Sequence, residues 1–335
     1  MDEDHAEAGD HGSPASGMSR TIYDDVTRAI LGEDALYTRT QVSAATGIAM
    51  ERLTALWRAL GFPSTDDDAV LFTDADIAVL ELLPRFLEPL GMEEGDELTS
   101  ARSMGRSFSR LADWEVRLMA RALADVPPDQ LGDAVGEILP VLQQLQDYVW
   151  RRHLARAAGR ALLAAESGAV ESGVGFVDMV AFTRTSRELS MGELAALLER
   201  FDSTASALVA SHGGRVVKTI GDEILFVVDD PHATAEIAST LALLHEADPS
   251  FPQVRAGVTW GPVLHRLGDV FGETVNIASR LTSLARPGTV LANPALAELV
   301  GDRWTVRRIP PEAVRGYSRL EAWVVRPPAA RHAAD

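Results

Sequence analysis

Apolar residues repeat at helical spacing through the first part of the chain. From residue 40 to residue 60 they recur every three or four positions on both sides of Gly47, which predicts two short helices joined by a turn. Gly61 ends the second helix, and Thr73 is placed to cap a third. Because the same spacing continues beyond Thr73, we expect an all-helical domain over residues 18–128.

A second apolar repeat predicts a connector helix over residues 129–167. Its apolar positions alternate at spacings of four and three, which is typical of a seam for helix–helix or dimer packing. They are Leu131, Val135, Ile138, Leu142, Leu145 and Val149. Pro140 interrupts this repeat, and we expect it to kink the helix or to start a new one.

Short apolar runs alternate with amphipathic stretches over residues 168–326. Their order is β-α-β-β-α-β, which predicts a ferredoxin-like sheet with helices on one face. Further strands are expected near Val290 and over residues 304–309 and 322–325. The predicted fold class is therefore α+β, with an all-α domain in front of the mixed domain.

Two of the predicted strands end at a carboxylate. Asp178 follows the apolar run that starts at Val174, and Asp222 lies in the turn of a hairpin, GRVVKTIGDEILFVV. Adjacent strands of one sheet would bring the two acids together. Neighbouring carboxylates repel each other unless a cation lies between them, and oxygen ligands suit Mg²⁺ or Mn²⁺.

The segments FVDMVAFT, VVKTIGDEILF and GDVFGETVNIASRL occur in this order over residues 168–326. Together they resemble the catalytic core of class III nucleotide cyclases, and the acidic chain with its helical first half resembles the actinobacterial adenylate cyclases of that class. The resemblance implies that the enzyme converts ATP to 3′,5′-cyclic AMP and pyrophosphate. It also implies that Asp178 and Asp222 bind two metal ions in each active site, Mg²⁺ or Mn²⁺.

The same resemblance assigns the residues that contact the substrate. It makes Lys218 and Asp269 the pair that reads adenine, Asn276 the residue that orients the ribose, and Arg280 the residue that stabilises charge at the reacting phosphate. Arg315 matches a further phosphate-binding position only loosely. Since Asp269 can accept from the amino group of adenine and Lys218 can donate to a ring nitrogen, we expect ATP to be preferred over GTP.

The resemblance further implies a homodimer with shared active sites. In such a dimer the metal-binding acids of one chain face the Lys, Asp, Asn and Arg of the other, and this chain carries both sets in one catalytic domain. The mechanism expected is an in-line attack of the 3′-oxygen on the α-phosphate, assisted by two metal ions. The helical half is expected to regulate this dimer.

Charge and composition narrow the expectations. The 335 residues carry a net charge of −18, so long-range electrostatic repulsion opposes the approach of both nucleotides and DNA. Binding of either must therefore come from local cations or metal ions. No apolar run approaches the ~20 residues of a membrane span, and the absence of cysteine fits a cytoplasmic location. We expect residues 1–17 to be a disordered acidic tail and residues 327–335 to be a second tail.

Residues 38–88 support an alternative hypothesis. Their order of helices resembles the winged helix-turn-helix of MerR-type regulators, which would make the chain a DNA-binding regulator with a nucleotide-sensing C-terminal domain. Its recognition helix offers only Arg52 and Arg58, close to Glu51 and to the acidic run at residues 66–68. Because DNA affinity depends largely on Lys and Arg, this composition argues against nucleic-acid binding.

His153 is a candidate regulatory residue in the connector. It follows Val149 by four positions and so continues the apolar seam. Arg151, Arg152 and partial burial would all oppose its protonation, so a proton there could disturb helix packing. The other interpretation is an ordinary histidine in a helix interface. A small molecule, a lipid or a proton is the expected kind of effector for the helical half.

Overall fold

The computed structural model describes residues 14–91, 94–167 and 171–328. The chain forms two compact units, Met1–Ala158 and Gly159–Asp335. Of the predicted tails, residues 1–13 and 329–335 lie outside the described residues. Residues 14–17, which were assigned to the first tail, begin a helix instead, because a proline stands at the first position, where its fixed backbone angle is favourable.

The first unit is helical, as the sequence predicts. Its helices are α1 (Pro14–Leu31), α2 (Arg39–Thr46), α3 (Met50–Ala59), α4 (Asp74–Leu87), α5 (Glu94–Ala122) and α6 (Leu131–Ser167), with short 3₁₀ turns at Glu88–Leu90 and Pro128–Gln130. The last of them, α6, continues across the division between the units. Within the described ranges, every helix is too short or too polar to serve as a membrane span.

Capping residues set the helix ends in this unit. Thr38 caps α2 and Thr73 caps α4, and in each case a side chain three residues later, Gln41 or Asp76, accepts from the cap backbone N–H. Gly47, with a φ of 70°, ends α2. The predicted turn at Gly47 and the predicted cap at Thr73 are confirmed.

Two arginines of the helix-turn-helix segment, Arg39 and Arg52, are paired inside the first unit. Arg39 is buried, forms a salt bridge with Asp67 and donates to the Thr65 hydroxyl, so the acidic loop folds back onto α2. Arg52 donates to the buried carboxylate of Glu97 at 2.7 Å. These cations therefore stabilise the helical unit and are not presented to a phosphate backbone.

The connector helix departs from its prediction. α6 continues through Pro140, because one missing N–H donor does not end a helix of 37 residues, so no new helix starts there. Its seam is buried at Val135 but open further along, where Leu145 is 57% and Val149 43% exposed. His153 is exposed as well. The expected partial burial of His153 is wrong for the single chain, because α6 is exposed at every described position from Asp147 to Gly159.

The second unit is built on a seven-stranded sheet with the order β2-β3-β1-β4-β7-β9-β8. The strands are β1 (Glu171–Met179), β2 (Arg215–Ile220), β3 (Glu223–Val228), β4 (Val254–Pro262), β5 (Leu264–Arg266), β6 (Asp269–Phe271), β7 (Val290–Ala292), β8 (Thr305–Val314) and β9 (Tyr317–Arg326). β5 and β6 form a separate hairpin. The order β2-β3-β1-β4 is ferredoxin-like, which confirms the α+β class. The predicted domain start at residue 168 lies outside the described residues.

Helices cover both faces of the sheet. They are α7 (Phe182–Glu188), α8 (Met191–Ser211), α9 (Pro231–Ala247), α10 (Glu273–Leu284) and α11 (Pro294–Val300). Phe226 faces α8 and α9, in a core with Phe201 and Leu241, whereas Leu225 faces the other side, in a cluster with Ala278 of α10. The expectation of helices on one face is wrong, because the central strands are apolar at consecutive positions and both sides require a cover.

Gly257 allows α10 to lie directly against β4. A Cβ atom at this position would be 2.2 Å from the backbone nitrogen of Thr282 and 2.4 Å from the carbonyl oxygen of Ala278. Both atoms belong to the helix backbone, so they cannot rotate away. The position of α10 on the sheet therefore depends on the missing side chain.

We expect Gly257→Ala to lower the free energy of unfolding by about 1–3 kcal/mol, because the added methyl group forces α10 away from β4. Gly192→Ala is the matched control, since a Cβ at Gly192 in the first turn of α8 meets no atom within 4 Å. Urea unfolding of both variants measures the difference. Equal stability of the two variants would contradict this account of α10.

Candidate active site

The turn between β2 and β3 places Asp222 next to the end of β1. Gly221 and Asp222 form this turn, and Gly221 adopts a φ of 64°, which favours glycine. The backbone N–H of Met179 donates to the carbonyl oxygen of Asp222 at 3.0 Å. Since Asp178 directly precedes Met179, the fold brings the two predicted metal-binding acids together.

Three charged residues form a row across the sheet at this end. Asp178 on β1 lies opposite Glu223 on β3 and opposite Arg255 on β4. Arg255 donates to one oxygen of Asp178, Oδ2, through Nε at 2.8 Å and Nη2 at 2.6 Å. Its Nη1 also donates to the carbonyl oxygen of Ser283 in the last turn of α10, at 3.3 Å. Arg255 therefore links the acid cluster to α10.

Burial and neighbouring negative charge raise the pKa of two carboxyls in this cluster. Burial, followed by the charges of Asp178 and Asp222, raises the pKa of Glu223 to about 7. Burial is also the largest influence on Asp222 and, with the charge of Asp178, it raises the pKa of that carboxyl. The cluster therefore has a surplus of negative charge that the single guanidinium of Arg255 does not remove.

The donor set at Asp178 and Asp222 fits a hard divalent cation. Both residues offer carboxylate oxygens, and the two contacts from Arg255 are made to only one oxygen of Asp178. Among the described residues, no group of three or more His, Cys, Asp or Glu side chains is arranged to hold a metal ion. Mg²⁺ commonly takes one or two protein carboxylates and completes its shell with water and substrate phosphates. The site therefore suits a metal that arrives with a phosphate-bearing substrate.

Lys218 and Asp269 are paired with each other. The Nζ of Lys218 donates to Oδ2 of Asp269 at 2.6 Å, and both side chains are about one-third exposed. Burial acts to raise the pKa of Asp269, but hydrogen bonds from Lys218 and from the Val270 backbone, with the charges of Lys218 and Arg215, hold it below its usual value. The pair presents an ammonium donor and an ionised acceptor at one place.

A β-bulge determines the direction of Lys218. The ladder between β2 and β3 shifts at Val217, so that Val216 pairs with Phe226 but Lys218 pairs with Leu225. Leu225 faces the same side of the sheet as α10. Without the bulge Lys218 would share the face of Val216, on the opposite side. The bulge therefore places Lys218 on the face where β6 carries Asp269.

Asn276 and Arg280 lie one turn apart on α10. The side of the helix that faces the sheet carries Ala278, Leu281 and Thr282, which are buried. Asn276 is exposed and Arg280 is half-buried. The two polar groups therefore lie away from the buried side of α10, and within the described residues no hydrogen bond joins them to the acids or to Lys218.

Arg315 lies in the last hairpin, in the turn between β8 and β9, and is exposed. Within the part of the chain that the structure describes, no hydrogen bond or ion pair connects it to the other candidate residues.

The sequence interpretation missed Arg255 and Glu223. Both flank Asp178 in the sheet, so a residue-by-residue register for β1, β3 and β4 would have identified them. The sequence supplied the order of these strands but not their register.

Two family models match the chain. The adenylate and guanylate cyclase catalytic domain matches residues 168–326, and the adenylate cyclase regulatory domain matches residues 12–129. In the solved structures, the adenylyl cyclase CyaB from P. aeruginosa is similar to 49% of this chain and 97% of its own, with a TM-score of 0.41 and 23% identity.

Two curated relatives extend the similarity over most of the sequence. An adenylate cyclase of Streptomyces coelicolor is 40% identical over 278 residues, which cover 80% of this chain and 73% of the relative. An adenylate cyclase of Glutamicibacter nicotianae is 34% identical over 322 residues, which cover 88% of this chain and 80% of the relative. Since the matches include both domains at these identities, the chain belongs to the family of class III adenylate cyclases.

Proposed function

We propose that this chain converts ATP to 3′,5′-cyclic AMP and pyrophosphate at sites completed by a second copy of itself. The observation that carries this proposal is the placement of two chemically complete groups in one domain: the paired acids Asp178 and Asp222, and the ion pair of Lys218 with Asp269. The first suits a metal–phosphate complex and the second suits a base with an amino group beside a ring nitrogen.

Catalytic domains of this family use divalent metal ions. In this chain Asp178 and Asp222 would hold them, and we propose Mg²⁺ or Mn²⁺, two in each site. When bound, the ions supply polarisation of the attacking oxygen and charge neutralisation at the leaving group. Arg255 fixes the orientation of Asp178 through its two hydrogen bonds to Oδ2, so the carboxylate is oriented before the substrate arrives.

Lys218 and Asp269 select the base. Adenine offers an amino donor to Asp269 and a ring-nitrogen acceptor to Lys218, so both members of the ion pair retain a partner when it binds. Guanine would set a carbonyl oxygen against the Asp269 carboxylate. The mismatch would leave charged groups without partners, which is costly in a closed site.

The polar side of α10 acts on the sugar and the reacting phosphate. Asn276 is exposed and can hydrogen-bond a ribose oxygen. Arg280 forms no ion pair among the described residues, so its charge is available to the phosphate as negative charge develops in the transition state. Arg315 is a weaker candidate for a phosphate contact, because its position in an exposed turn does not fix its side chain.

A second copy of the chain would complete the site. One catalytic domain carries both the metal-binding acids and the substrate-binding set, which yields two equivalent sites in a two-fold dimer. The single chain also leaves part of the apolar seam of α6 open, where Leu145 is 57% and Val149 43% exposed. A matching helix from a second copy is suited to cover it.

The helical first unit regulates this activity in our proposal, with α6 as the connection to the catalytic unit. His153 stays a candidate sensor on the open half of α6, and a proton, a small molecule or a lipid is the proposed kind of effector. The pairing of Arg39 and Arg52 within the unit supports a regulatory module over a DNA-binding one.

We expect Asp222→Asn to reduce cyclic AMP formation from ATP and Mn²⁺ by at least about 100-fold, because the metal site loses one of its two carboxylates. Asp229→Asn is the matched control, since Asp229 follows β3 at its opposite end and accepts from Ser172. Chromatographic separation of cyclic AMP from ATP measures both. Full activity of Asp222→Asn at saturating Mn²⁺ would reject the metal assignment.

Shared sites predict that two inactive chains complement each other. Asp178→Ala and Arg280→Ala chains carrying different affinity tags, coexpressed and purified through both tags, should have about half the activity of the wild-type dimer, because one of two sites is intact. Each variant purified alone supplies the baseline. Tandem-purified heterodimers with no more activity than these baselines would rule out shared sites.

The acid cluster predicts a pH dependence of stability in the metal-free protein. The pKa of Glu223, about 7, lies above its usual 4.5, so the folded state binds this proton more tightly than the unfolded state. The stabilisation that comes from protonated Glu223 is therefore fully present below pH 4.5 and is lost as the pH rises through about 7. We expect the melting temperature to fall over this range with EDTA present, and to fall less in Glu223→Gln.

Glu193→Gln is the control for this measurement. Hydrogen bonds from the side chain and backbone of Ser190 lower the pKa of Glu193, so its titration is complete below the same range. In this variant, the plot of melting temperature against pH should be displaced as a whole and should keep the slope of the wild type. If Glu223→Gln behaves in the same way, the three carboxylates do not interact as described.

A further inference from the structure

We propose that Arg215 is a positioning residue for base recognition: it anchors the β5–β6 hairpin and thereby fixes Asp269 opposite Lys218. This inference rests on the proposed function of the Lys218–Asp269 pair and adds a residue that determines its geometry. Arg215 itself lies on β2, three positions before Lys218.

The hairpin that carries Asp269 has little structure of its own. Its two strands have three residues each and do not join the seven-stranded sheet. Leu264, Leu267 and Phe271 are between 47% and 61% exposed, so the hairpin buries little apolar surface apart from Val270. A two-stranded hairpin of this kind is marginal alone. The position of Asp269 therefore depends on contacts with neighbouring elements.

The turn of the hairpin is also conformationally demanding. Leu267 has a φ of 53°, in the left-handed region that a leucine rarely adopts, and Gly268 follows with a φ of 80°. Such a turn persists when its surroundings hold it in place. Gly268 directly precedes Asp269, so a change in the turn moves the carboxylate.

Arg215 makes two contacts with this hairpin. Its Nη1 donates to the carbonyl oxygen of Gly268 at 3.2 Å, and its Nη2 lies 3.2 Å from Nδ1 of His265 on the opposite strand. A guanidinium only donates, so Nδ1 of His265 is the acceptor in this contact. The planar group of Arg215 thus spans both strands, which a single-point donor cannot do.

The bulge at Val217 puts both cations of β2 on the side of the hairpin. Arg215 pairs with Val227 and Lys218 with Leu225, and both partners belong to the cluster that also contains Val270 of β6. In a regular strand, residues three apart would point to opposite faces. The bulge therefore allows one strand to both anchor the hairpin and contact Asp269.

Base binding makes the anchor more important. In the free chain the Lys218–Asp269 bond itself ties β6 to β2. When adenine enters between donor and acceptor, that direct bond is replaced by bonds to the base, and the Arg215 contacts remain. Burial acts to raise the pKa of Asp269, and the charge of Arg215 helps the hydrogen bonds from Lys218 and Val270 and the charge of Lys218 to hold it below its usual value.

The test uses the full chain with Arg215→Met, Arg215→Lys and His265→Leu. We expect Arg215→Met to raise the KM for ATP by about five- to tenfold and to reduce the ratio of kcat/KM for ATP over GTP, with kcat changed less than about twofold. Arg215→Lys should be intermediate, because one donor can reach one acceptor. His265→Leu should act in the same direction but more weakly, since the Gly268 contact remains.

Arg266→Met is the matched control. Arg266 is exposed and lies opposite Asp269 in the hairpin, and its side chain forms no hydrogen bond or ion pair among the described residues. If the loss of a nearby positive charge were the cause, Arg266→Met would reproduce the effect of Arg215→Met and overturn the proposal. We expect its KM for ATP to stay within about twofold of the wild type.

A double-mutant cycle separates positioning from general destabilisation. If Arg215 acts through Asp269, then Arg215→Met should change the KM for ATP by less than about twofold in an Asp269→Asn background. Equal losses in both backgrounds would overturn the proposal, as would an unchanged KM and base preference in the single variant. Should Arg215→Met fail to fold, His265→Leu in the same cycle decides.

Two results would reject the proposed function itself. A wild-type chain that makes no cyclic AMP, or an Asp269→Asn variant with unchanged base preference, would reject the role of the Lys218–Asp269 pair and the Arg215 proposal with it. A change of preference in Asp269→Asn but not in Arg215→Met would reject the Arg215 proposal alone.

Discussion

The repulsion among three carboxylates at the end of β1 is the constraint around which the catalytic unit is arranged. Asp178 lies directly opposite Glu223 in the antiparallel ladder, and Asp222 is held beside it by a backbone hydrogen bond. Like charges in this relation destabilise a sheet. Arg255 offsets part of the cost, and the rest is the driving force that favours a divalent cation. The sheet core must supply the stability that this cluster lacks.

The binding chemistry is divided between strand ends and attached elements. Asp178 lies at the end of the central strand β1 and Asp222 in the turn before β3, whereas Asp269 lies on a hairpin outside the sheet and Arg280 on a helix packed against it. Each attached element has a specific link to the sheet: Gly257 for the close approach of α10, and Arg215 for the hairpin. The spacing of substrate contacts therefore depends on a few small backbone features as well as on the residues that touch ligand.

The sequence predicted most elements, because the features that define them are local. The helix cap at Thr73 involves a residue three positions along the chain, and the glycine–aspartate turn before Glu223 is read directly from the sequence. Features that depend on register were not predicted. The bulge at Val217, the partnership of Arg255 with Asp178 and the cover of α10 on the second face arise only when strands are aligned against each other. Likewise, the exposure of His153 depends on which helices pack against α6.

The two parts of the long helix α6 differ in how far their apolar side chains are buried. Its first part is anchored by the buried Val135, while the part from Leu145 onward exposes apolar side chains and then continues without interruption into the catalytic unit. α6 is one helix of 37 residues, in which Pro140 removes one backbone N–H donor. A partner that covers the open stripe therefore contacts a single element, and the free energy of that contact is available to favour one arrangement of α6 over another. In the proposed dimer, the contact between chains and the regulation would depend on the same stripe, and an effector of the helical unit would need only to change how that stripe is covered.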